Sequence, residues 1–195
     1  MIGKIFKFLG IGVVLLVLSL LAYRFFTLNT YPDFAKGVIP TETLSESYKA
    51  GTLKGKTWKL PTVADNTGDF FAYEPIYFEK EKTLIITIRY NDSFLEEQKF
   101  DGVGKDYPLF PSLYADGTKR VLPTTYEYGY AFSMYSYRRY VFENVDLSQY
   151  EHLYLDIHFD EDYVAVPYTT LEIYNNSRKM SDYRLTDNDR KELEK

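Results

Sequence analysis

The sequence predicts a mostly β protein: an N-terminal transmembrane helix, then one antiparallel β-sandwich or curved-sheet domain with short flanking helices. Three observations predict it. A single long apolar run lies near the N-terminus, short period-two runs punctuated by turns follow from about Thr57, and aromatic residues make up 18% of the chain, a usage that strands favour.

The apolar run is "KIFKFLGIGVVLLVLSLLAYRFFTL". No charge falls between Lys7 and Arg24. Lys7 and Arg24 can snorkel their charged ends to the headgroups, so residues 5–28 give a span near the roughly 20 that cross a bilayer. Tyr23, Phe25 and Phe26 stand where aromatic side chains favour the interface. A cleaved signal peptide is the competing reading. Cleavage after Ala22 would put Leu20 where a small residue is wanted, which favours an uncleaved anchor. Lys4 and Lys7 precede the span, so the positive-inside bias puts the N-terminus in the cytoplasm and the rest of the chain outside, at the cell membrane.

The division expected is an arm and anchor over 1–28, a stalk with a short helix over 29–55, and an extracytoplasmic β domain with a C-terminal helix over 56–195. "NTYPDFAKGVIP" is punctuated by proline and glycine as a stalk would be. In "TETLSESYKAG", Thr43 and Glu46 match a capping box and Gly51 can close the helix end. "TLIITIRYN" puts Leu84, Ile86, Ile88 and Tyr90 on one face and Ile85, Thr87 and Arg89 on the other. "EHLYLDIHFD" puts Leu153, Leu155, Ile157 and Phe159 inward, with Tyr154, Asp156, His158 and Asp160 outward. "TTLEIYN" repeats the pattern, and Asp116-Gly117 is a hairpin signal. "LTDNDRKELEK" reads as a charged helix capped by Thr186, with few apolar residues to dock it.

Charge and composition limit function. The anchor region holds three of the 23 basic residues and no acidic one, leaving 20 basic against 28 acidic residues beyond it, a net −8. That disfavours nucleic acid and anionic lipid surfaces as partners of the domain. With no cysteine, disulfides, thiol catalysis and thiolate metal sites are excluded. No nucleophile elbow, P-loop or dinucleotide fingerprint occurs. The two histidines, His152 and His158, fall on one face of one strand. The chain reads as a non-enzyme that needs no cofactor.

Two groups of residues are candidates for function. "YEYGYAFSMYSYRRYVF", Tyr126 to Phe142, is too long for one straight strand, and a bend near Gly129 or Ser136 is expected. Such a bend would keep Phe132, Tyr140 and Phe142 inside. It would turn Tyr135, Tyr137, Arg138 and Arg139 toward a partner, as tyrosine–arginine recognition surfaces do. A packed core with tyrosines decorating a sheet is the alternative. The second group is Asp156, His158 and Asp160, whose carboxylates and imidazole could hold a divalent cation; a solvated acidic strand edge is the alternative.

The segments "YPDFAKGVIPTETL", "IRYNDS", "PYTTLEIYN" and "LTDNDRKELEK" resemble a group of single-pass envelope proteins of Gram-positive bacteria to which no activity attaches. The resemblance implies an anchor followed by an outside domain. In layout alone the chain is also similar to membrane-tethered immunity proteins that neutralise exported toxins. The expected function is therefore an extracytoplasmic binding module holding a protein or envelope polymer near the membrane. A toxin-neutralising immunity protein is the alternative, and an envelope enzyme using carboxylates or a metal is the second.

Overall fold

The computed structural model describes residues 2–29, 35–58, 69–91, 109–115, 120–131, 135–159 and 166–195. The chain forms two compact units, residues 1–33 and 34–195. The first is helix α1, Ile2–Asn29. Its side chains from Phe8 to Tyr23 are all exposed, and because nearly every one is apolar, no face of the helix is polar. Among the described residues, no helix is long and apolar enough to cross a membrane: the run Phe8–Tyr23 is sixteen residues, short of the roughly 20 of a full span.

The second unit is built on antiparallel sheets, as the period-two runs predict. Its strands are β1 (Gly55–Thr57), β2 (Phe70–Ala72), β3 (Ile76–Phe78), β4 (Thr83–Asn91), β5 (Phe110–Tyr114), β6 (Thr125–Ala131), β7 (Tyr135–Phe142), β8 (His152–His158), β9 (Thr169–Asn175) and β10 (Ser181–Tyr183). The larger sheet runs in the order β10-β1-β3-β4-β7-β6, and β2 also pairs with β4. Strand β4 is long enough for β3 to pair with its first half and β2 with its second. The smaller sheet is β5-β8-β9.

One apolar cluster joins the inward faces of both sheets: Leu84, Ile86 and Ile88 of β4 and Phe142 of β7 share it with Leu155 and Ile157 of β8. The alternation read in β4 and β8 is therefore the packing observed. The opposite face of β4, however, is also buried. Ile85 belongs to a second cluster with Val141 of β7 and Phe78 of β3, covered by Val38 and Ile39, by Leu44 of helix α2 (Glu42–Lys49) and by Leu193 of helix α3 (Asp187–Leu193). A strand covered on both sides needs apolar residues at consecutive positions, which is what "LIITI" supplies.

Three expectations about the flanks change. Residues 35–55, read as a stalk, belong to the compact unit: Ala35, Val38 and Ile39 are buried against the sheet. The cap of α2 is Thr41 rather than Thr43; its side chain accepts from the Leu44 amide at 3.3 Å. The other end closes as expected at Gly51, whose φ of +69° is left-handed. The amides of Gly51 and Thr52 reach back to the carbonyls of Tyr48 and Ser47, both at 2.9 Å, the paired bonds of a Schellman end.

The C-terminal helix, expected to dock weakly, is firmly held. Thr186 caps it within a complete capping box, and Leu193 is fully buried. Asp189, itself buried, accepts the Val38 amide at 2.7 Å, the Thr186 amide at 2.7 Å and hydroxyl at 2.8 Å, and the Tyr183 hydroxyl at 2.8 Å. Gly37 crosses directly over this carboxylate with φ +85°, and a Cβ there would collide with Asp189 Oδ1. Gly37→Ala is accordingly expected to destabilise the unit by about 1–3 kcal/mol, combining a left-handed backbone with a steric clash. Denaturant melts of the two proteins would show it; an unchanged midpoint would mean that the 35–40 segment lifts off at little cost.

Candidate functional site

The aromatic stretch Tyr126–Phe142 is a hairpin. β6 and β7 pair from Thr125↔Val141 to Ala131↔Tyr135, so neither Gly129 nor Ser136, the positions expected to bend, interrupts the pairing. β7 also runs unbroken along β4, from Asn91↔Tyr135 to Leu84↔Phe142. Phe132 lies outside the described residues; Tyr140 and Phe142 are buried, as expected.

Of the four residues expected to face a partner, three are interior. Tyr137, Arg138 and Arg139 are only 2%, 3% and 6% exposed, and Tyr135 is half-buried. The reason is position. β7 has β4 on one side and β6 on the other, and both of its faces are covered. Arg138 points between the sheets, donates to the Leu109 carbonyl at 3.2 Å and lies 5.7 Å from the Tyr90 ring. Arg139 points the other way, where its guanidinium donates to the Gly37 carbonyl and, at 3.4 Å, to the Thr87 hydroxyl. Thr87 in turn donates to the Ala35 carbonyl at 3.2 Å. These arginines thus hold the chain together through backbone oxygens, a use that leaves neither as an exposed fork.

What does remain at the surface of this region is centred on Arg89. Its guanidinium lies 4.4 Å from the Phe71 ring and 4.3 Å from the Tyr135 ring. Beside it, Tyr73 stacks on Tyr137 at 6.0 Å. Arg89 is half-buried, and both rings lie within cation–π range, so the cluster ties β2, β4 and β7 together.

Strand β8, read as a possible acidic edge, is the central strand of its sheet. Asp156 is flanked by Ser112 and Thr170 on the adjacent strands, and it accepts the Thr170 hydroxyl at 2.7 Å. His158 is fully buried. The two side chains expected outward are therefore enclosed by their neighbours. Asp160 lies outside the described residues, and among the described residues no group of three His, Cys, Asp or Glu side chains is placed to hold a metal ion. The hairpin signal Asp116-Gly117 also lies outside them, although Leu113 and Val121 on either side form an antiparallel bridge.

A recess that sequence reading did not anticipate lies where the chain passes from the small sheet to the large one. The turn between β9 and β10 is shaped by Asn175, whose side-chain oxygen accepts the Ser177 amide at 3.0 Å and hydroxyl at 2.6 Å. It brings Arg178, Lys179 and Met180 beside Trp58, Ile173 and Tyr174, around about 240 Å³ of free space open to solvent. Trp58, the only tryptophan, is 4% exposed. Its ring packs against Tyr77 at 5.6 Å and Tyr174 at 5.0 Å.

Glu172 organises the polar wall. Its Oε2 takes Arg178 Nη2 at 2.9 Å, and its Oε1 lies 2.7 Å from His152 Nδ1 and accepts Asn175 Nδ2 at 3.3 Å. Burial alone would push this carboxyl up. The hydrogen bond from His152 and the charge of Arg178 outweigh that, holding it below the usual glutamate value. Arg178 is thereby fixed by one nitrogen while its buried Nη1 has no acceptor among the described residues, and the same holds for Trp58 Nε1. Sequence reading missed the recess because its parts are far apart in the chain. The lone tryptophan was the one available signal.

The chain matches no protein-family profile, no curated protein and no solved structure.

Proposed function

We propose that this chain is a single-pass, membrane-anchored binding module. Residues 5–28 form its anchor, its N-terminus lies in the cytoplasm, and its compact β unit stands outside, holding a protein or an envelope polymer near the membrane. The observation that carries this is α1. Its described side chains are apolar on every side and exposed, a pattern that belongs in a bilayer or a large core. Sixteen uncharged residues fall short of a full span, but Lys7 and Arg24 at the two ends have stems long enough to extend the apolar length. The charge balance supports the orientation, since basic residues precede the helix and a net −8 follows the first 28 residues.

The β unit supports a binding role over catalysis. Both histidines are engaged in the sheet, His158 in its interior and His152 on Glu172. Protease added to intact cells or protoplasts should digest residues 34–195. Protection of that unit until the cells are lysed would overturn the topology, and release of the chain by alkaline carbonate would overturn the anchor.

A further inference from the structure

We infer that the recess beside Trp58 receives a carboxylate group presented by a peptide partner. The inference deepens the reading of the β unit as a binding module and is independent of its membrane anchorage. Two residues that line one small recess each carry a buried N–H donor without an acceptor among the described residues, Trp58 Nε1 and Arg178 Nη1. An unmatched buried donor is costly, and donors that share a recess mark a place for an incoming acceptor.

Three features select the acceptor. Trp58 is only 4% exposed and packs against two tyrosine rings, so a sugar ring has little indole surface to stack on, and what Trp58 offers is its N–H. A guanidinium N–H is charged and bonds a carboxylate oxygen more strongly than a neutral one. Glu172 already takes Nη2, which leaves Nη1 for the ligand, and Lys179 also lines the recess, which has no acidic residue among the described residues of its lining. Size decides the rest. The enclosed part has room for about one water-sized group, well under the roughly 300 Å³ of a pocket that swallows a whole small molecule. The recess therefore takes one oxygen of a group at the end of a larger ligand. A planar carboxylate enters more readily than a bulkier tetrahedral phosphate.

The single tryptophan makes the test direct. In the full chain in detergent micelles, labelled with ¹⁵N at tryptophan, the indole N–H gives one resonance. Three probes are titrated: N-acetyl-alanine for a terminal carboxylate, N-acetyl-aspartate amide for a side-chain carboxylate, and N-acetyl-alanine amide as the neutral counterpart. Inorganic phosphate is a fourth arm, with sodium chloride as the ionic-strength control. The expected result is a saturable downfield shift with at least one carboxylate probe, none with the neutral amide, and a weakening of about tenfold in Arg178→Gln, which removes a charged hydrogen bond. Whichever carboxylate probe shifts the signal identifies the source. The proposal is overturned by an unmoved resonance (a single ordered water then suffices for the two donors), by an equal response to the amide, or by tighter binding of phosphate. These comparisons use the unaltered protein, so they stand even if Arg178→Gln fails to fold.

Discussion

Phe142→Ala is expected to destabilise the β unit by about 3–5 kcal/mol, as truncations of large buried aromatics do. Phe142 is fully buried, lies opposite Leu84 in the register of β4 and β7, and belongs to the cluster that joins the two sheets. Its removal would open a cavity among side chains already held by two packed layers. Tyr137→Ala is expected to cost about 2–4 kcal/mol, because Tyr137 is 2% exposed and stacks on Tyr73. Tyr135→Ala should cost about 1 kcal/mol, the lost contact being with Arg89 at the half-buried end of the hairpin. Denaturant melts of the full chain in micelles, followed by Trp58 fluorescence, would rank the three. A Tyr137→Ala protein as stable as wild type would return Tyr137 to the surface and undo the packing described here.

Asp189→Asn should destabilise the unit by about 2–4 kcal/mol at neutral pH, since it weakens a buried carboxylate that accepts charge-assisted hydrogen bonds. The effect should be pH-dependent. Burial alone would raise the Asp189 pKa, but the donors from Val38, Thr186 and Tyr183 outweigh it and hold the group below the ordinary aspartate value of 3.8. A carboxyl depressed in the folded state contributes stability that is present above the unfolded pKa and lost as pH falls through the folded one. The gap between wild type and Asp189→Asn should therefore be constant near neutrality and shrink below about pH 4, where the unfolded chain begins to take up the proton. Melts of both proteins from pH 7 to pH 3 would check it. A gap that stayed constant over that range would mean that the Asp189 charge does not hold the helix. Because Gly37 and Asp189 touch, Gly37→Ala and Asp189→Asn should combine less than additively.

Alternation alone located the inward faces of β4 and β8, since side chains of a strand project to opposite sides by backbone geometry. Thr186 as a cap and Gly51 as a terminator were also legible, because a hydroxyl or a left-handed glycine at a helix end acts through neighbours a few residues away. The apolar run, the charge asymmetry and the absence of cysteine were likewise properties of the chain by itself. What local pattern could not decide was which outward faces would be covered. Arg138 and Arg139 read as exposed because charge usually stays in water. They are interior because Leu109 and Gly37, distant in sequence, bring backbone carbonyls to meet them. The C-terminal helix, marginal by its composition, is anchored for the same reason, its Asp189 reached by the Val38 amide 151 residues away. The recess at Trp58 exists only because the β9–β10 turn crosses between sheets next to β1. Each of these outcomes depends on a partner far along the chain, and such partners are chosen by the packing of the sheets, which periodicity within a strand does not encode.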